Sequence, residues 1–205
     1  GTLLSLMRNI PRADAQVRTS HWDREANRGE EIMGKTIGII GYGNMGQAVA
    51  KRFAGFQCNV IAYDKYKSDF TDQQCKEVSM ETIVEETDIL SLHVPLTWET
   101  KGMVNKEYLM RFRKKIILIN TARGEIVSLS DLSHLMLDGS VRGAVLDVLE
   151  NEKLDTLTPG QMVAFNSLRK MSNVIFTPHI AGWTFESHVK INVALVQKMK
   201  SLELV

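Results

Sequence analysis

Three glycines in the stretch Gly41-Tyr42-Gly43-Asn44-Met45-Gly46 follow directly on the apolar run Thr36–Ile40 and open a helical pattern. Glycines at this spacing divide three tasks. Gly41 makes the tight turn, Gly43 lets the backbone come close to a diphosphate, and Gly46 lets the new helix lie tight on the strand. The first N–H groups of such a helix lack intrahelical partners and so face an anion well. Asp64 closes the next apolar run, 23 residues beyond Gly41, near the ~20 at which an acid meets an adenosine ribose. A carboxylate there accepts hydrogen bonds from the ribose hydroxyls and repels a 2′-phosphate, which points to NAD in preference to NADP. Lys65 and Lys67 follow, and would soften that discrimination if they folded inward.

Three later apolar runs also end on polar groups. Residues 116–120 lead into Thr121-Ala122-Arg123-Gly124, residues 141–148 into Glu150 and Glu152, and residues 173–177 into Pro178-His179. Arginine offers a fork of parallel donors to a carboxylate. Histidine exchanges a proton near neutral pH, and an acid beside it orients the ring and favours its protonated form. Together the three suit hydride transfer to a 2-oxo acid, whose carbonyl oxygen needs a proton as the hydride arrives. Either Glu150 or Glu152 could be the acid.

These groups meet only if their strands are parallel neighbours. Six short β-rich runs, Thr36–Ile40, Asn59–Tyr63, 88–94, 116–120, 141–148 and 173–177, alternate with helical stretches at 44–56, 80–86, 106–114 and 131–137. Near-continuous apolar strands are buried on both faces, and the βαβα alternation gives an α/β class: a Rossmann-type, doubly wound parallel sheet. Residues 35–183 form this domain. Residues 1–34 carry a short amphipathic helix, Leu3, Leu4, Leu6, Met7 and Ile10, that stops before Pro11, then a polar arm with Trp22. This segment is expected to pack on the main domain or on a partner chain. Residues 184–205 form a last helix with Val189, Val193, Val196 and Met199 on one face, and residues 153–171 read as a long loop.

The chain has 205 residues and a formal net charge of +1, so nothing suggests a nucleic-acid or membrane partner. The five arginines between Arg8 and Arg28 are balanced by Asp14, Asp23, Glu25, Glu30 and Glu31, and the run Arg111 to Lys115 suits a helix C-terminus. Cys58 and Cys75 lack Cys-x-x-Cys spacing, which reads as reduced thiols in a cytoplasmic protein. No metal site is expected from the five histidines. The chain opens on Gly1 and runs straight into a helix, which suggests a fragment or processed chain.

In its motifs the sequence resembles the D-isomer-specific 2-hydroxyacid dehydrogenase family, in its cofactor domain. The matching stretches are the glycine turn, Leu92-His93-Val94-Pro95-Leu96-Thr97, Asn120-Thr121-Ala122-Arg123-Gly124, Leu146-Asp147-Val148 through Glu152, and Thr177-Pro178-His179-Ile180-Ala181-Gly182. They keep the family's order and spacing over roughly residues 1–200, and are most similar to its 3-phosphoglycerate dehydrogenase-like members, which makes a place in serine biosynthesis possible. The resemblance implies that Arg123 binds the substrate carboxylate and carbonyl, and that Glu152 pairs with His179 as acid and base. It implies cofactor contacts at Gly41, Gly43, Asn44, Met45, Gly46, Asp64, Thr121, Ala122, Arg123, Asp147, His179 and Gly182. The family often has Arg-Ile where this chain has Asn44-Met45, which removes a side-chain contact to phosphate and leaves the backbone cradle. Family members carry an N-terminal lobe of about one hundred residues, an ordinary domain size, that closes over the substrate. That lobe is largely absent here. The segment 1–34 resembles elements that pair two subunits into a homodimer, and the last helix resembles the one that crosses to the substrate lobe.

His93 lines the cofactor cleft or braces Pro95, Trp183 packs or approaches the nicotinamide end, and His21, His134 and His188 read as surface residues. Ser128 and Ser130 read as caps for the helix at Asp131. The competing readings are an NAD-sensing, non-enzymatic scaffold on the same fold and a hydrolase that holds NAD tightly. The latter would need different residues at the strand ends.

Overall fold

A computed structural model describes residues 1–202, so the last three positions of the expected segment 184–205 lie outside the described residues. The strands are β1 (Thr36–Ile40), β2 (Asn59–Tyr63), β3 (Lys76–Glu77), β4 (Ile89–Leu92), β5 (Ile117–Asn120), β6 (Gly143–Leu146) and β7 (Val174–Phe176). The helices are α1 (Thr2–Met7), α2 (Ile10–Arg18), α3 (Asn44–Phe53), α4 (Met80–Glu86), α5 (Lys106–Met110), α6 (Leu129–Leu137), α7 (Pro159–Leu168) and α8 (Phe185–Ser201).

All seven strands join one parallel sheet in the order β3-β2-β1-β4-β5-β6-β7. Alternate side chains feed two apolar layers. Ile37, Ile39, Ile89, Ile117, Ile119 and Val145 fill one face, and Ile40, Leu90, Leu92, Leu118, Ala144 and Leu146 fill the other. This two-sided burial is why these strands read as unbroken apolar runs. Because β1 pairs with β2 on one side and β4 on the other, the winding reverses between β1 and β4. The carboxyl ends of the strands at that reversal open a crevice where ligands bind in such sheets.

Several elements differ from the sequence reading. The six expected strands are joined by β3, a two-residue edge strand of charged residues with no apolar pattern. Pro11 does not simply end a helix. It sits in the first turn of α2, where its missing N–H costs nothing. Pro159 does the same for α7, inside the stretch expected as a loop, and Thr158 and Gln161 form a reciprocal capping box there. Ser128 accepts from Asp131 N as the cap of α6, whereas Ser130 lies within that helix. Helix α5 stops at Met110, short of the basic run; Arg113 then pairs with Glu85, and Lys114 with Asp88.

Residues 1–34 divide in two. Leu3, Leu6 and Met7 of α1, together with Ile32, are buried in the same apolar layer as β1. Glu30 fastens the returning chain by ion pairs to Arg142 and Lys35, and these hold its carboxyl below the usual range. Helix α2 and the arm around Trp22 stay outside this core; Trp22 is 83% exposed. No residue of α8 is buried. Among the described residues, no helix is long and apolar enough to cross a membrane.

Candidate active site

The turn after β1 shows the three glycines in three different environments. Gly41 has φ +93°, in the left-handed region, and a Cβ there would lie 2.5 Å from the His93 carbonyl oxygen. At Gly46 a Cβ would lie 2.1 Å from the Gly41 carbonyl oxygen, so only glycine lets α3 seat against the turn. At Gly43 a Cβ would meet nothing within 4 Å. Its backbone is extended, with φ −76°, so space is the only thing a side chain would take up there. Gly43 caps α3 and no side chain caps that N-terminus, which leaves the first amides available to an anion. Asn44 and Met45 follow as exposed first-turn residues.

Asp64 ends β2 and reaches back to the turn. One carboxylate oxygen accepts from Tyr42 N at 2.7 Å, and the other accepts from Tyr66 N at 2.9 Å and Lys67 N at 3.1 Å. A carboxylate has about four acceptor positions, so these three bonds leave capacity for a ribose hydroxyl. Neither following lysine points freely inward. Lys65 Nζ donates to Glu99 at 2.7 Å, and Lys67 Nζ donates to the Tyr42 carbonyl at 3.2 Å. A cleft of about 370 Å³ lies between this wall and the segment after β4, lined by Gly41, Gly43, Asp64, His93, Pro95 and Met103 among others. An open Gly43, uncapped amides and an acid with one acceptor position to spare beside such a cleft fit a dinucleotide.

A second hollow, of about 420 Å³, continues past His93 and brings Met45 together with Thr121, Ala122 and Arg123. Arg123 is presented by two residues to which the sequence alone assigns no role. Buried Asn120 accepts from Ala122 N at 3.1 Å and donates to the Arg123 carbonyl at 3.0 Å, bracing the loop. Gly124 passes so close to the next segment that a Cβ would lie 1.8 Å from the Leu149 carbonyl oxygen. The loop carrying Arg123 is thereby locked to the segment that carries Glu152.

His179 follows β7 with φ +56°, an uncommon conformation for a residue with a side chain. Asp147 holds it there. Asp147 is 3% exposed, and its carboxylate accepts from the Thr177 hydroxyl at 2.5 Å, Ile180 N at 2.9 Å and Ala181 N at 2.9 Å, while the Asp147 carbonyl receives His179 N at 2.8 Å. A strained turn persists where its surroundings over-determine it. The work of Asp147 in this structure is to position the turn. On that turn, His179 Nδ1 lies 3.0–3.1 Å from the Glu152 carboxylate, with both side chains about half exposed. Of the two acids left open by sequence, Glu152 is therefore the one at the histidine. Glu150 lies against Leu129 and Gln161 with Asp131 and Glu125 nearby, and burial raises its pKa. Gly182 is exposed beyond the Ile180–Trp183 turn, and its carbonyl accepts from Ser187 of α8.

His93 stands between the two hollows and lines both. Its Nε2 meets the Ser91 hydroxyl at 2.8 Å, and burial pushes its pKa down to about 4. It is therefore a neutral wall residue at physiological pH. The carboxyl end of the sheet thus carries an anion cradle with a ribose acceptor, a carboxylate fork in the adjoining hollow, and a histidine–acid pair in a third hollow lined by Glu152 and His179.

A family profile for the D-isomer specific 2-hydroxyacid dehydrogenase, NAD binding domain, matches residues 1–181. A hydroxypyruvate reductase from Thermotoga maritima is 37% identical over 199 residues, covering 97% of this chain and 63% of that protein. A D-3-phosphoglycerate dehydrogenase from Archaeoglobus fulgidus is 35% identical over 98% of this chain and 37% of its own length. Among solved structures, D-lactate dehydrogenase from Aquifex aeolicus complexed with NAD and lactic acid matches with a TM-score of 0.86 and 30% identity. That match covers 98% of this chain and 63% of the other. The chain thus spans between 37% and 63% of the length of these relatives.

Proposed function

Because the chain belongs to the D-isomer specific 2-hydroxyacid dehydrogenase family, as its NAD-binding domain, we propose that the whole protein transfers hydride between NAD(H) and a small 2-hydroxy or 2-oxo acid. The observation that carries this reading is the His179–Glu152 pair, 3.0 Å apart on a turn that Asp147 holds in place.

NAD(H), when bound, supplies or takes up the hydride; the remaining work falls to the chain's own groups. Gly41, Gly43, Asn44, Met45 and Gly46 present backbone to the diphosphate, and Asp64 accepts a ribose hydroxyl. With Nδ1 held by Glu152, His179 keeps Nε2 for the substrate oxygen. It gives that oxygen a proton in reduction and takes it back in oxidation. Arg123 turns its fork from the Ala122 carbonyl, 2.6 Å away, to the substrate carboxylate. Thr121, Ala122, Arg123, Asp147, His179 and Gly182 complete the cofactor contacts that the family resemblance implies.

The reading extends to 3-phosphoglycerate as one candidate substrate, with a use in serine synthesis, and to a homodimer paired through the exposed arm around Trp22. The chain by itself is expected to hold NAD(H) and turn over weakly, since an open cleft does not exclude water. The test is NADH oxidation by the whole protein against a panel of 2-oxo acids, before and after His179→Ala. The substitution should lower kcat by roughly 10²–10⁴-fold while NADH affinity falls far less. A normal kcat in the variant would overturn the acid–base assignment.

A further inference from the structure

A polar strap joins the two walls of the 370 Å³ cleft beside the glycine turn. Glu99, on the segment after β4, accepts on one oxygen from Lys65 Nζ at 2.7 Å and from the Tyr66 hydroxyl at 2.9 Å. Lys65 and Tyr66 directly follow Asp64, and all four residues line the cleft. The strap therefore connects the end of β2 to the chain beyond β4 at the ribose-binding rim. Lys65 is further settled over the Tyr66 ring, its Nζ 5.5 Å from the centroid. Glu99 holds the Lys65 amine above its usual pKa, and Lys65 holds the Glu99 carboxyl below its own.

The position of this strap matters for which dinucleotide fits. Asp64 disfavours a 2′-phosphate on the ribose, but the ammonium of its immediate neighbour would attract one. A lysine stem has several rotatable bonds, so its head goes where its partners hold it. We infer that Glu99 is a cofactor-specificity residue: by engaging Lys65 it withholds a cation from the ribose 2′ position. The inference rests on the dinucleotide reading above and deepens it. Lys67 is not part of the device; its Nζ lies on the Tyr42 carbonyl, at the glycine turn.

The test is fluorescence titration of NADH and NADPH onto the chain itself, so that binding is read without turnover. Three proteins are compared: wild type, Glu99→Ala, and Glu99→Ala combined with Lys65→Met. The NADPH-to-NADH Kd ratio should fall roughly three- to tenfold in Glu99→Ala, the size of one charge-assisted hydrogen bond at an exposed site. In the double variant it should return towards the wild-type ratio. A ratio that does not move in Glu99→Ala, or a fall that survives Lys65→Met, overturns the inference. Binding of neither dinucleotide to the wild type would overturn the dinucleotide reading itself, and the inference with it.

Discussion

Gly43 and Gly46 stand three residues apart in one turn, yet a methyl group should act on them through opposite channels. At Gly46 the new Cβ would sit 2.1 Å from the Gly41 carbonyl oxygen and 3.4 Å from Ile39, so turn and helix must separate. Overpacking of that kind costs about 1–3 kcal/mol. At Gly43 the added Cβ meets nothing within 4 Å and the backbone is already in a region any residue adopts. Replacing a glycine cap by alanine loses a few tenths to about 1 kcal/mol, and the stiffer unfolded chain returns about 0.4–1. Gly43→Ala should therefore melt within about 1 kcal/mol of wild type. The empty space is, on this account, where the diphosphate approaches the backbone. Displacing the diphosphate by one methyl loses at least one hydrogen bond to a charged group, about 1.5–3 kcal/mol, which is roughly 10–100-fold in Kd. Urea unfolding gives the stability and NADH fluorescence titration gives the affinity. A folded Gly43→Ala protein that binds NADH within twofold of wild type would refute the reasoning, as would a Gly46→Ala protein of undiminished stability.

Two further outcomes follow from the walls of the site. The folded pKa of His93, about 4, lies below the ordinary 6.5, so the unfolded chain takes up that proton first as pH falls. Its contribution to stability is complete above pH 6.5 and is lost between there and pH 4, by about 3 kcal/mol. Urea midpoints at pH 7 and pH 4 should accordingly fall further for wild type than for His93→Gln, and equal falls would remove His93 as the cause. At Gly124, a Cβ 1.8 Å from the Leu149 carbonyl oxygen and 2.7 Å from Glu150 N has only backbone to push against. Gly124→Ala should cost about 3 kcal/mol or more and lower kcat of the whole protein by displacing Arg123. An unchanged urea midpoint would show that the two loops are not locked together.

The parts legible in sequence are those written in local pattern. β1 and β2 are apolar at every central position because both faces of the sheet are covered, and the glycine turn between β1 and α3 carries its chemistry in its spacing. That Arg123, Glu152 and His179 all lie beyond the carboxyl ends of neighbouring strands follows from parallel order, since each comes a few residues after β5, β6 or β7; Glu152 and His179 share one hollow and Arg123 lines another. The choice between Glu150 and Glu152 does not, because side-chain direction in an irregular segment depends on what packs beside it. β3 has two charged residues and no apolar period to betray it. α2 and α7 were both readable in principle: a proline can open a helix as readily as close one, and Thr158-Pro159-Gly160-Gln161 spells a capping box. Asn120 braces its loop through partners only two and three residues on, a local turn pattern readable in principle; the roles of Gly124 and Asp147 depend on neighbours distant in sequence, so no local pattern marks them. The Lys65–Glu99 strap, spanning 34 positions, is of the same kind.

The central claim is that this chain holds NAD at the β1–β4 switch point. Calorimetric titration of the 205-residue chain with NAD and NADP tests it most directly. One saturable NAD site in the micromolar range is expected, about −8 kcal/mol at 1 μM, with weaker binding of NADP and a narrowed gap between the two in Asp64→Ala. A folded chain that shows no saturable NAD binding up to millimolar concentration would contradict it.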